Sequence, residues 1–489
     1  MKLEYIIINT KNNHYLFDPN TSKLVLANEL MLEIIENYND EFHLKEMSIK
    51  HENFEKQLKY LNDLIKAGMF SSGSKNPMEA KADYRNNPSM SLIIVLTGRC
   101  NLRCEYCVYN DKYPKEIGYS NEDMNIDVAI KAIDQFLELY YEKQTAGFYK
   151  KPTVMFYGGE PLLKFELIKK IVSYIENVGV DCDYYMTTNG VLLNENYSKY
   201  LIEKNFRITF SLDGYPWNHN RNRIDIFGNP SHKKVVENIK KYERIKLAEN
   251  KNIMTSFNCC YDDYTNLEEC VKFFTEMGDL IRPFYVMYSY ISPYDTTYYN
   301  WLEEKAKENG WEKQLSSSYK RIKERFVNGL IKTDTEKAAV QNLFASFYFT
   351  DIRSTSTMSS PLNNCCIPLT KLAVYPDGTY AVCERVNKKL PIGNVFQGID
   401  YDRINQITEK MEKQFKDGKC SRCNYRKMCN VCFQFMDENG DINKEFCERT
   451  KRSLLQQLTE YCELREYYPD IIEKFHPDSE SWKLINILA

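Results

Sequence analysis

The sequence predicts an α/β protein organised around a parallel barrel or part-barrel, with a small hairpin-and-helix domain before it and a cysteine-rich domain after it. Three observations carry this. Six short apolar runs between residues 91 and 289 alternate with amphipathic helical stretches, the pattern of repeated strand–helix units. The first 75 residues follow a different pattern, and from 365 onward the cysteine density jumps while the apolar runs shorten. A chain of 489 residues, 43% hydrophobic and 27% charged, has the material for two or three such domains.

In chain order, "LEYIIIN" (3–9), the polar turn "TKNNH" and "YLF" predict a hairpin, and "ANELMLEIIENY" and "NFEKQLKYLNDLIKAGMF" predict helices ending near Gly68. Residues 1–75 therefore form one unit, and 76–90, with Asn and Pro near both ends, a linker. The barrel segment is 91–298. Its expected strands are 91–96, 152–157, 182–188, 206–212, 252–258 and 282–289, and barrel enzymes place their reactive groups on the loops after such strands. A mostly helical bridging region follows at 299–364. The cysteine-rich segment spans 365–447, with "KLAVYPDGTYAVC" as a hairpin around Pro376-Asp377-Gly378, and 448–489 reads as a helical tail.

Net charge is −3, with acids and bases interspersed, so nothing marks a nucleic-acid surface. No apolar run approaches the about eighteen residues of a membrane span, and the N-terminus does not resemble a secretory signal. A soluble, cytoplasmic protein is expected, with no nucleic-acid or membrane partner. Several of the sixteen cysteines sit at short gaps, which looks like metal ligation more than like a disulfide framework.

Cys100, Cys104 and Cys107 in "RCNLRCEYCVY" follow the first barrel strand. Unrelated thiols or a zinc site with a distant fourth ligand are the competing readings. Soft thiolates on one loop suit an iron–sulfur cluster, and three ligands for four irons leave one iron open. The three-then-two spacing, with Tyr106 before the last cysteine, resembles the cluster motif of the radical S-adenosylmethionine (AdoMet) enzymes. Membership would make the barrel a partial (β/α)6 TIM-like barrel, with a 4Fe-4S cluster that cleaves AdoMet to a hydrogen-abstracting radical. On that resemblance Tyr106 lies against the adenine. Gly158, Gly159 and Glu160 in "GGEP" hold the cosubstrate's amino group. Thr188 and Asn189 of "TTNG", and Ser211 and Asp213 of "SLDG", bond its polar atoms. Arg223 of "HNRNR" takes its carboxylate, and Asn258 joins the pocket; Asn220 stands where the family has an acid.

The later cysteines resemble the SPASM domain of radical enzymes that modify peptides and proteins, which implies two auxiliary 4Fe-4S clusters and three in all. By that resemblance Cys366, Cys383 and Cys432 hold the nearer cluster, with Cys365 as fourth ligand or an open iron in its place. Cys420, Cys423, Cys429 and Cys447 hold the farther one. Cys429 and Cys432 are separated by two residues where the family has three. A zinc ribbon is the competing reading. Glu384, directly after Cys383, matches the acid that sulfatase-maturing relatives place near the substrate, a candidate catalytic base. Cys182, Cys259, Cys260, Cys270 and Cys462 have no spacing partners and read as structural thiols.

The N-terminal unit resembles the winged-helix-like domains that bind the leader of a ribosomally made precursor peptide. The expected function is a radical AdoMet peptide maturase forming an intrapeptide crosslink, with a cysteine thioether preferred. Formylglycine formation, as in anaerobic sulfatase maturation, and a carbon–carbon crosslink are the alternatives. A low-potential electron donor such as flavodoxin or ferredoxin completes the expected partners.

Overall fold

A computed structural model describes residues 3–21, 23–70, 90–145, 151–281, 283–340, 343, 371–416, 418–426, 428–429, 431–437 and 441–467. These fall into two compact units. One holds the described residues of 1–82 and 407–489; the other holds those of 83–344 and 365–406. The boundary after 406 falls inside the segment that the cysteine spacing reads as one domain.

The first unit contains a three-stranded antiparallel sheet in the order β1 (Ile6–Asn9), β2 (His14–Phe17), β3 (Leu24–Ala27). The predicted hairpin is its first two strands, with Ile6 opposite Phe17. Helices Glu29–Glu36 and Phe54–Lys66 cover it, sealing a core of Leu16, Met31, Ile34, Ile35, Leu61 and Phe70. Helix Glu41–Lys50 was not legible in the sequence because Met47 is its only fully buried side chain, so it carries no apolar stripe. Chain more than 400 residues later joins this unit. Glu466, on helix Lys444–Tyr467, accepts from Thr10 Oγ1 at 2.6 Å and Tyr15 OH at 3.0 Å, and Asn424 Nδ2 donates to Tyr5 O at 3.1 Å.

The second unit is built on parallel strands β4 (Ser91–Val95), β5 (Thr153–Tyr157), β6 (Asp183–Thr188), β7 (Arg207–Ser211), β8 (Thr255–Tyr261) and β9 (Phe284–Tyr290), each hydrogen-bonded to the next. All six lie within three residues of their predicted bounds, because buried parallel strands betray themselves as apolar runs. On β5, Val154 and Phe156 are buried, while Thr153, Met155 and Tyr157 are half-buried. Met155 and Tyr157 pack with Ile93 and Val95 on the other face of the sheet. The fold is thus an α/β partial barrel. Its sheet is extended by β10 (Lys371–Val374), β11 (Thr379–Ala381), β12 (Pro391–Asn394) and β13 (Gly398–Ile399). β10 and β11 are the predicted hairpin, and β10 runs parallel to β4 with Lys371 opposite Ser91. β11 runs back antiparallel to β10 and is followed by Cys383 and Glu384, whose backbone oxygen accepts from the hydroxyl of Tyr375, the residue just after β10. Among the described residues no helix is long and apolar enough to cross a membrane.

Candidate active site

The loop after β4 carries Cys100, Cys104 and Cys107, with Cys104 buried and the other two half-buried. The backbone folds around the thiols: Leu102 N–H points at Cys100 Sγ (3.4 Å), and Cys107 N donates to Cys104 O (3.1 Å). Burial pushes Cys100 up to about 12 and raises Cys104 and Cys107 as well, while the Arg223 guanidinium pulls all three the other way. Such thiols become ligands only beside a compensating positive charge, which an iron cluster supplies. Among the described residues no three His, Cys, Asp or Glu side chains converge tightly enough for one metal ion. An all-thiol set spread over one loop fits an iron–sulfur cluster better than zinc.

The loop after β5 locks onto this one. Gly159 N donates to Thr97 O (2.8 Å) and Glu160 N to Arg99 O (3.0 Å). Gly158 has φ +137°, and a Cβ on Gly159 would lie 2.2 Å from the Arg99 carbonyl oxygen. Only glycine lets the two backbones approach so closely. Glu160 is buried, and its carboxylate accepts from Thr188 Oγ1 (2.7 Å), Asn189 N (2.8 Å) and Leu162 N (3.0 Å). Burial raises its pKa against those bonds. The Thr188 hydroxyl is thus spent on orienting Glu160. Asn189 Nδ2 reaches Asn101 Oδ1 at 2.9 Å and Cys100 Sγ at 3.7 Å.

Asp213, after β7, is fully buried and accepts from Tyr106 OH (2.6 Å) and Cys260 N (3.0 Å). Arg223 Nη1 donates to the same Tyr106 oxygen (2.7 Å). Its Nε is buried with no hydrogen-bond partner, an open donor of the kind a ligand carboxylate satisfies. His219 fixes Asp213 from behind. Asp213 N–H donates to its Nδ1 (3.3 Å), so its Nε2 carries the proton and donates to Ser231 Oγ (2.9 Å), whose hydroxyl donates to Arg223 O (2.7 Å). Asn220, where the family has an acid, accepts from His232 N (3.0 Å) and so serves a helix start. Ser211 lies opposite Asn258, whose Oδ1 accepts from Ser289 Oγ (2.9 Å).

Two further groups were not legible in sequence. Arg221 and Asp262 form a buried bidentate pair (2.7 and 2.8 Å), and Tyr298 OH donates to the same carboxylate (2.8 Å) while its ring meets Tyr106 edge-on. Cys260, read as a structural thiol, differs from its neighbour. Cys259 packs with Cys270, whereas Cys260 lies among Tyr106, Asp213, Arg223 and Arg385. Strand alternation decides this, and the frame is invisible until β8 is placed.

Cys383 is buried after β11. The Glu384 backbone oxygen accepts from Tyr375 OH (3.2 Å), and its carboxylate oxygen Oε2 is buried with no hydrogen-bond partner. Burial raises Tyr157, the Arg385 guanidinium opposes it, and the charges of Glu384 and Cys107 raise it further, which sets Glu384 near the end of β5. In the other unit, Cys420, Cys423, Cys429 and Cys447 line one cavity of about 390 Å³ together with Lys419, Arg422 and Lys451. Four thiols around one cavity fit a 4Fe-4S cluster. Cys432 starts the short helix Phe433–Phe435, accepting from Gln434 N (3.4 Å), and is not among that lining. Cys365 and Cys366 lie outside the described residues.

Residues 94–274 match the family model described as the Radical SAM superfamily. The chain is similar to an uncharacterized protein of Methanocaldococcus jannaschii, 37% identical over 125 residues that cover 25% of this chain and only 38% of that protein. It is also similar to the cysteine-type anaerobic sulfatase-maturating enzyme of Clostridium novyi (strain NT), 25% identical over 396 residues, 74% of this chain and 94% of the relative. Among solved structures it is similar in fold to anSMEcpe with bound AdoMet and the Cp18Cys peptide, with a TM-score of 0.52 and 21% identity over 79% of this chain and 98% of that one.

Proposed function

We propose that this chain, a radical SAM oxidoreductase with a C-terminal cysteine-rich region, oxidises a cysteine or serine side chain of a peptide or protein to formylglycine. The observation that carries this reading is Glu384, a carboxylate with one buried, unpartnered oxygen, directly after Cys383 in the turn that follows β11. A match that runs along 94% of a sulfatase-maturating enzyme supports it. Thioether formation, first in the sequence reading, therefore yields to the formylglycine alternative.

When bound, the cluster and AdoMet supply the hydrogen-abstracting radical. The chain's own residues do the rest. Cys100, Cys104 and Cys107 hold the cluster, the bonded loops after β4 and β5 fix Glu160 toward the cosubstrate's amino group, and Arg223 offers Nε to its carboxylate. Tyr106 and Asp213 hold Arg223 in place, with Gly158, Asn189, Ser211 and Asn258 as further parts of the pocket. Glu384 takes the proton from the substrate thiol or hydroxyl as its carbon is oxidised. Cys420, Cys423, Cys429 and Cys447 would hold one auxiliary cluster, and Cys383 would serve the second that the cysteine spacing implies.

The test is anaerobic incubation of reconstituted enzyme with AdoMet, reductant and cysteine-containing peptides, read by mass spectrometry. Replacement of sulfur by an aldehyde oxygen, trapped with a hydrazide, is the expected product; loss of two hydrogens with sulfur retained would move the reading back to a crosslink. Glu384→Gln should abolish product while AdoMet cleavage continues.

A second reading concerns the first unit. β3 is an edge strand of its sheet, with Leu26 59% exposed, and an open edge suits a leader peptide added as a fourth strand. Leu26→Asp should weaken leader binding in calorimetry and leave AdoMet cleavage intact; unchanged affinity would remove this role.

A further inference from the structure

Radical SAM chemistry draws one electron into the cluster for each cleavage, and of the three loop thiols Cys104 is buried while Cys100 and Cys107 are half-buried. The chain segment bonded to that loop leads outward. Arg103 N donates to Ile224 O (2.8 Å) and Glu105 N to Asn222 O (3.0 Å), and Leu102 bridges Asp225, so residues 222–225 lie beside the cysteine loop as a strand would. The chain then turns back at residues 226–229, and Ile224 bridges Pro230. Asp225 stiffens this tip: its Oδ1 accepts from Phe227 N and Asn229 N, both at 2.8 Å, and its Oδ2 from Asn229 Nδ2 at 3.0 Å.

What the stiff tip presents is apolar. Ile226 is 52% exposed and Phe227 81%, on a turn whose neighbours are polar. Immediately after it, helix His232–Ala248 begins with exposed Lys233 and Lys234 and continues with Lys240, Lys241 and Arg244 against a single exposed carboxylate, Glu237. Two apolar anchors held rigidly beside a basic helix form the pattern of a docking site for an acidic protein. Charge steers the encounter, and preorganised apolar side chains hold it at little entropic cost.

We propose that the 224–230 turn, with Ile226 and Phe227 at its tip and Lys233 and Lys234 beside it, is the docking surface for an acidic one-electron carrier protein of the flavodoxin class. The carrier is oxidised by one electron and the cluster is reduced by one, with the backbone bonds from Ile224 and Asn222 to Arg103 and Glu105 as the short connection to Cys104. The proposal rests on the radical SAM assignment and is independent of which peptide is modified.

The test measures AdoMet cleavage without peptide, driven either by reduced flavodoxin or by dithionite, and the Kd for flavodoxin by calorimetry on the full chain. The Ile226→Ser, Phe227→Ser double variant should raise that Kd by about tenfold or more and slow flavodoxin-driven cleavage to match, with dithionite-driven cleavage unchanged. Lys233→Glu, Lys234→Glu should slow association and flatten its salt dependence. An unchanged Kd in both variants would overturn the proposal. So would a parallel loss of dithionite-driven cleavage, which would make the turn a support of the cysteine loop, or a loss confined to Lys419→Glu and Lys451→Glu, which would put the carrier at the C-terminal cavity.

Discussion

Substituting Gly159 by alanine tests how closely the cluster loop depends on its neighbour. The new methyl carbon would stand 2.2 Å from the Arg99 carbonyl oxygen, 2.6 Å from its carbon and 3.2 Å from Cys100 N, all backbone atoms that no rotamer change can move aside. Restoring ordinary contact requires the Arg99–Cys100 backbone to retreat by about 1 Å, an overpacking strain of roughly 1–3 kcal/mol. The retreat also stretches the 3.0 Å bond from Glu160 N to Arg99 O, which leaves a buried donor unpaired at a further cost of about 1–3 kcal/mol. A misplacement of about 1 Å in a reacting constellation is worth roughly a hundredfold in rate. Gly159→Ala should therefore lose iron from the first cluster and cleave AdoMet about a hundredfold more slowly, measured by iron content per chain and 5'-deoxyadenosine release. Gly179→Ala is the control: its φ is +81°, but nothing lies within 4 Å of the added carbon, so it should keep full iron and full cleavage. Wild-type iron and rate in Gly159→Ala would refute the reasoning that these two loops act as one rigid body.

Arg221→Met strands the buried Asp262 carboxylate and should destabilise the barrel unit by about 3–5 kcal/mol, read as an earlier urea transition in tyrosine and tryptophan fluorescence. Removing both charges, as in Arg221→Met with Asp262→Leu, should cost less than Arg221→Met alone; equal or greater loss would contradict the stranded-charge account. Burial, with Arg223 beside it, holds His219 well below its ordinary 6.5, and burial lowers His232 too. Below pH 6.5 the unfolded chain takes up these protons more readily than the folded one, so barrel stability should fall as pH falls, approaching about 1.4 kcal/mol per pH unit for His219, with a smaller contribution in the same direction from His232. A His219→Gln variant should show a shallower slope in urea titrations from pH 7 to pH 5, and an unaltered slope would dismiss the His219 contribution. Cys447→Ser should reduce the iron content by one cluster and leave dithionite-driven AdoMet cleavage in place; loss of that cleavage would mean the C-terminal cavity supports the first cluster.

The parts of this protein that are local in physics were legible in its sequence. Apolar runs located all six barrel strands, because a buried parallel strand needs continuous apolar residues and nothing distant to make it so. The three-then-two spacing marked the first cysteine loop, whereas the structure showed that the glycine pair after β5 is where two backbones meet. Resemblance grouped Cys420, Cys423, Cys429 and Cys447, which the fold gathers around one cavity. Other features depended on long-range closure, which leaves no local pattern. Nothing in "KLAVYPDGTYAVC" says that its first strand pairs with β4, although that pairing brings Glu384 to the barrel. Nothing near residue 466 says that its carboxylate ties the last helix to Thr10 and Tyr15. Cys259 and Cys260 are indistinguishable in sequence, and only the strand's frame turns one toward Cys270 and the other toward Tyr106. Short-range periodicity selected the elements; the tertiary structure decided which side chains share the site, because that choice depends on pairings between segments that have no reason to know of each other until the chain has closed.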